Sequence, residues 1–126
     1  MDSPSHTVLV VDDDAAIRFL CRVNLELDGW TVHEAKAIEQ ARETLGSAPI
    51  EIVLLDVHIG VDSGLDFIGE IRERKPGVPV VLLTGSVGSP ALEGVDADAV
   101  ISKPFTLDQL TGTVGRLVAR GGAEAG

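Results

Sequence analysis

The residues of this chain best suited to joint chemistry stand at equivalent places. Asp12-Asp13-Asp14, Asp56, Thr84 and Lys103 each follow a short apolar run, at 8–11, 52–55, 80–83 and 99–101. Runs of that length, rich in Val, Leu and Ile, read as buried strands. In open parallel sheets, ligands bind beyond the carboxyl ends of the strands. If the first and third strands are neighbours, their acids lie roughly 5 Å apart. Three carboxylates that close repel, and without a cation one of them tends to keep a proton. An all-oxygen set suits a hard divalent ion, and Mg²⁺ takes one or two carboxylates together with waters and phosphate oxygens. Such an ion can bridge an acid and an incoming phosphoryl group. A carboxylate can attack phosphorus to give an acyl phosphate. Lys103 offers a mobile point charge for phosphoryl oxygens, and Thr84 a hydroxyl donor. These residue types in this order imply phosphoryl transfer at a sheet edge.

The elements that must position these groups are legible as an alternation. Weaker strand candidates lie at 30–32 and 99–101. Between the strands run amphipathic helical segments, with Ile17, Leu20, Cys21 and Leu25 on one face of the first and Ile38, Ala41 and Leu45 on one face of the second. Gly29 and Gly46 stand where these helices should stop. A third helix is expected from 64 to 74 with Leu65, Ile68 and Ile71 inward. A last one, carrying Leu107, Leu110, Val114 and Leu117, is expected behind a Thr106/Gln109 capping box. Strand then helix, five times over, predicts a doubly wound α/β domain: a five-stranded parallel sheet with helices on both faces. Ser89-Pro90 could open a helix between the fourth and fifth strands, but Gly94 ends it after about one turn, so that helix should be short or irregular. Residues 1–6 and 120–126 read as a flexible N-terminus and a flexible tail around a domain at 7–119.

With 126 residues the chain supports one domain. Hydrophobic residues make up 44% and aromatics only 3%, so the core should be aliphatic. A formal charge of −10 argues against direct contact with nucleic acid or an anionic membrane. The single cysteine, Cys21, excludes an internal disulfide and reads as a small buried thiol. Met1 to His6 lack the pattern of a signal peptide, and no apolar run could span a bilayer, so a cytoplasmic location is expected. His6 and His33 read as exposed bystanders and Trp30 as packing.

Taken together, Val-Leu-Val-Val-Asp12-Asp13-Asp14, Leu54-Leu55-Asp56 with Gly64 eight residues on, Leu83-Thr84-Gly85 and Lys103-Pro104-Phe105 resemble the response regulator receiver domain of two-component signalling. The resemblance covers about residues 7 to 119. It implies strand order 2-1-3-4-5 and a cis Lys103-Pro104 bond. It implies that Asp56 is the phosphoacceptor and that Mg²⁺ is held by Asp12, Asp13, Asp56 and the backbone carbonyl of His58. Thr84 becomes the switch hydroxyl and Lys103 its cationic partner. The implied partner is a histidine kinase or phosphotransfer protein, and the implied output is a shift of the loops around the fourth and fifth strands. The imidazole of His58 either faces solvent or tunes dephosphorylation.

Three features depart from the family pattern. Val100 occupies a position that is usually aromatic, Gly60 one that is usually proline, and the Thr84–Lys103 interval is short, as in a minority subgroup of stand-alone regulators. These leave the chemistry intact but make atypical the face of the fourth helix, fifth strand and fifth helix. That face is the usual dimer and partner surface of the family, which leaves a dimer as one candidate assembly. Without a large side chain at 100, motion should propagate through the backbone near residues 85 to 95. Two other functions compete. A haloacid-dehalogenase-type phosphatase also uses a strand-end Asp and Mg²⁺, but Ala16 stands where it needs Thr or Val and no cap insertion is present. A receiver fold used as a phosphate-independent binding module would not need the intact acidic set. A flavodoxin-like cofactor site is excluded by three aspartates where a phosphate loop belongs.

Overall fold

The structure, a computed structural model, describes residues 6–59, 62–85 and 95–125. Gly60 and the segment read as a short or irregular helix, 86–94, lie outside the described residues. Five strands, β1 (His6–Val11), β2 (Trp30–Ala35), β3 (Ile52–Asp56), β4 (Val80–Thr84) and β5 (Ala99–Ser102), form one sheet. Every pairing is parallel, in the order β2-β1-β3-β4-β5, as expected. The helices are α1 (Ala15–Leu27), α2 (Ile38–Ser47), α3 (Gly64–Arg74) and α4 (Leu107–Ala125).

The central strands explain the apolar runs. β1, β3 and β4 each have two neighbours, and helices cover both faces, so their successive residues are buried from Thr7 onward in β1 and throughout β3 and β4. Alternate residues divide between two cores. Leu9, Val11, Val53, Leu55, Val80 and Leu82 face α2 and α3, whereas Val8, Val10, Ile52, Leu54, Val81 and Leu83 face α1 and α4. The edge strands β2 and β5 lack a second neighbour and show mixed burial. Their sequence signal was weaker for that reason.

The helices largely follow their expected faces. Asp14 caps α1 by accepting from the Ala16 N–H at 2.9 Å, and Gly29 ends it with φ +91°. Thr106 and Gln109 exchange two hydrogen bonds, at 2.8 and 3.1 Å, at the start of α4. Cys21 is fully buried, and desolvation together with the Asp12 charge pushes its thiol up to about 12, so it is inert packing. Three expectations need correction. Leu20, placed inward, is 45% exposed, because it stands a quarter turn from the Cys21–Leu25 stripe. Leu107 is exposed as well, with Leu110, Val114 and Leu117 carrying the buried face of α4. The helix then runs on to Ala125, through the stretch read as a tail from 120. Once packed turns have nucleated a helix, Ala123, Glu124 and Ala125 extend it at little cost. His6 belongs to β1, paired with Trp30 and stacked beside its ring at 5.1 Å.

Between β3 and α3 the chain makes a short antiparallel ladder, His58–Ile59 with Asp62–Ser63. It then returns so closely that the Gly64 N–H donates to Val57 O at 2.7 Å. A Cβ at 64 would collide with the Asp56 carbonyl oxygen and press on Leu55 Cγ. Gly64 is therefore required by proximity to the strand end that carries Asp56. Gly64→Ala should lower stability by about 2 kcal/mol in urea unfolding. Gly69→Ala, on the exposed side of the same helix with nothing near its Cβ, should be neutral or stabilising by up to about 1 kcal/mol.

Candidate functional site

The carboxyl edge of the sheet gathers the strand-end residues. Neighbouring β1 and β3 carry Asp12-Asp13 and Asp56, and the register sets Asp56 opposite Leu83, one residue before Thr84. Ligand oxygens of Asp12, Asp13 and Asp56 lie within 4.8 Å of one another. Thr84 is buried at the end of β4. Just past β5, Lys103 is placed by its N–H donating to Thr84 O at 2.8 Å and precedes a cis bond to Pro104, as expected. His58 reaches this edge through its backbone, whose N–H donates to the Asp56 carboxylate, while its side chain is exposed.

Asp12 is the anchor of the site. It is fully buried, and each of its polar groups is engaged. Its N–H donates to Ala35 O at 3.1 Å, and Oδ1 accepts from the Asp14 N–H at 2.9 Å. Oδ2 accepts from Lys103 Nζ at 2.9 Å, and its carbonyl accepts from Arg18 Nη1 at 2.7 Å. Lys103 Nζ also pairs with Asp56 Oδ1 at 3.3 Å. Burial, reinforced by the Asp12 charge, holds the Asp56 carboxyl above its usual pKa, against the pull of Lys103 and the His58 N–H. Burial alone would lower Lys103, but its bond to Asp12 and the charges of Asp12 and Asp56 raise it, so it stays an ammonium.

One ammonium facing three carboxylates leaves negative charge uncompensated, and the donors are all oxygens. The cluster therefore fits a hard divalent cation such as Mg²⁺, which Asp12, Asp13 and Asp56 would hold. A groove of about 420 Å³ between α2 and α3, lined by Ile38, Arg42, Phe67 and Glu70 among others, includes none of these acids. The reading from sequence missed Arg18 and Glu34. Charged residues on a helix and an edge strand carry no motif, and only the fold puts Arg18 Nε 3.1 Å from Glu34 Oε1.

Two opposite stability effects follow from this charge balance. Because the folded pKa of Asp56 is raised, its ionised form destabilises the metal-free fold above that pKa, and the penalty disappears as pH falls through it. Asp56→Asn should therefore raise the melting temperature at neutral pH in EDTA and reduce the further gain on adding Mg²⁺. Lys103→Met strips the buried Asp12 of its cation and should cost about 3 kcal/mol in urea unfolding under the same conditions.

Among known proteins, residues 8–115 match the response regulator receiver domain family. The alginate biosynthesis transcriptional regulatory protein AlgB of Pseudomonas aeruginosa is 35% identical over 106 residues, covering 82% of this chain and 24% of that protein. Among solved structures, the response regulator TrrA of Thermotoga maritima, in complex with Mg²⁺-BeF, superposes with a TM-score of 0.81 at 32% identity over 89% of this chain and 98% of its own. A CheY-like receiver protein of Methanospirillum hungatei shares the fold at TM-score 0.90 and 22% identity, over 96% and 99% of the two chains. The chain spans from 14% to 53% of the length of the first curated relatives it matches. Among the described residues no helix is long and apolar enough to cross a membrane. The chain belongs to the response regulator receiver domain family, the phosphoacceptor switch module of two-component signalling.

Proposed function

We propose that Asp56 accepts a phosphoryl group from a phosphohistidine on a histidine kinase or phosphotransfer protein. The observation that carries this reading is the cluster of buried Asp12 and Asp56 with exposed Asp13 around Lys103 at the carboxyl edge of the sheet. An Asp56 oxygen attacks phosphorus in line, the P–N bond breaks, and the imidazole leaves with the electron pair, giving an aspartyl phosphate. Asp12, Asp13, Asp56 and the His58 carbonyl would hold Mg²⁺, which would supply charge neutralisation at the transferring group. Lys103 moves its ammonium from the Asp12–Asp56 pair toward the new phosphoryl oxygens, and the Thr84 hydroxyl donates to another. Because Thr84 and Lys103 are joined through their backbones, this recruitment couples β4 to the end of β5. Attack by water restores the carboxylate. The domain acts as a switch in the cytoplasm and catalyses only its own phosphorylation and dephosphorylation.

The donor's docking surface is suggested by the apolar residues left exposed on α1. Phe19 and Leu20 are 55% and 45% exposed, and the helix that bears them starts from Asp14, beside the acid cluster. A donor helix packed there would bring a phosphohistidine toward Asp56 while covering apolar surface.

The direct test is intact mass after incubation with Mg²⁺ and acetyl phosphate. Wild type should gain one phosphoryl group, and Asp56→Ala none. The absence of any gain from small donor or kinase, with Mg²⁺ bound, would favour a phosphate-independent binding module, and turnover of a phosphate ester would favour a phosphatase. A Phe19→Ser/Leu20→Ser double variant should keep its rate with acetyl phosphate and lose about tenfold or more with the cognate kinase. An equal loss with both donors would remove the docking role.

A further inference from the structure

We propose that Arg18, aimed by Glu34, is a positioning residue that fixes the Asp12–Asp13 pair for Mg²⁺. The inference rests on the metal reading above. The Arg18 guanidinium forks between two acceptors: Nε donates to Glu34 Oε1 at 3.1 Å and Nη1 to the Asp12 carbonyl at 2.7 Å. Glu34 Oε2 accepts in addition from Arg22 Nη1 at 2.6 Å, so the carboxylate is held from α1 at two points. The Arg18 side chain is only 16% exposed.

The bond to Asp12 O matters because of what that carbonyl belongs to. It lies in the peptide joining Asp12 to Asp13, and the orientation of a planar peptide sets the direction in which the next side chain leaves. Asp12 is fixed at its N–H by Ala35 O and at its carboxylate by the Asp14 N–H and Lys103. The Arg18 bond completes this by fixing the far side of the residue. Asp13 is exposed, and this peptide sets the direction from which its side chain approaches the other two acids. The planar fork suits the task, because one guanidinium can satisfy a carboxylate and a carbonyl in a fixed geometry. Partners that orient metal ligands in this way typically govern metal affinity by an order of magnitude or more.

Electrostatics alone predicts the opposite sign, which makes the idea testable. Arg18 is a cation close to an acidic site, so removing its charge should tighten Mg²⁺ binding if charge were its whole contribution. Positioning predicts that removal weakens binding. Mg²⁺ titration calorimetry of the full chain, beside thermal melts in EDTA, separates the two. Arg18→Met should weaken Mg²⁺ about tenfold with the EDTA melt close to wild type. Arg18→Lys keeps the charge but lacks the rigid planar fork that sets the two bonds in fixed geometry, so it too should weaken binding, by a geometric cause alone. Should Arg18→Met prove unstable, the Arg18→Lys titration decides by itself. Wild-type affinity in both variants, or tighter binding in Arg18→Met, would overturn the positioning role while leaving the Mg²⁺ site standing. Failure of wild type to bind Mg²⁺ would overturn both.

Discussion

A carboxylate with no solvent exposure stands at the centre of this domain, and much of the local architecture keeps it there. An unpaired buried charge is costly, so Asp12 must be compensated by groups of fixed geometry. The carboxylate is compensated by the Asp14 N–H and by Lys103 ninety-one residues away, while Ala35 at the end of β2 and Arg18 on α1 hold the Asp12 backbone. Only a sheet with β1 between β2 and β3 brings these groups together. The same order sets Asp56 beside Asp12, where burial and like charge raise its pKa. The strand order is thus also an electrostatic arrangement, since it places the acids where they repel and the one ammonium where it bridges them.

Much of this could be read from the chain. β1, β3 and β4 declare themselves because two-sided burial demands unbroken apolar runs, and the chemistry follows directly at their ends. α2 and the capping box of α4 follow from local rules that tertiary packing did not override. What escaped depends on context. Leu20 has the periodicity of a core residue yet lies at the margin of the face, and periodicity alone does not settle where a stripe ends. The extension of α4 escaped because its glycines and small residues read as a tail, whereas a helix already anchored by Leu110, Val114 and Leu117 continues past poor formers. Arg18 and Glu34 escaped because an ion pair across sixteen residues has no signature until the helix is laid against its strand.

The two faces of the sheet divide their duties. On the α2–α3 side, Arg42 clasps Glu70 through two hydrogen bonds of 2.6 and 2.8 Å, which lowers the Glu70 pKa, and Arg72 ties α3 to Asp98 and to Asp96 O before β5. These are links between elements, partly exposed and individually weak. On the α1–α4 side the polar links near the sheet edge run to the acid cluster, through Arg18 on α1. The helix that carries Arg18, bonded to the Asp12 carbonyl, also exposes Phe19 and Leu20. A partner covering those residues would lie against the helix that sets the geometry of the reaction.

Charge also suggests why phosphorylation should act as a switch. Three carboxylates against Lys103 leave two negative charges in excess, which is the charge of one divalent cation. With Mg²⁺ bound the site would be balanced. Conversion of Asp56 to an aspartyl phosphate replaces a carboxylate by a group carrying about one further negative charge at neutral pH. The balance would then fail at a partly buried edge, where solvent screens charge less than in bulk water. Among the described residues, donors at this edge include the Lys103 ammonium, held by Asp12, and the Thr84 hydroxyl on the adjacent strand. Recruiting them would displace the ends of β4 and β5 together, because Lys103 N–H is bonded to Thr84 O. On this reading the output needs no large side chain at position 100. Val100 is small and half-exposed on β5, so the displaced backbone itself would be what a partner senses.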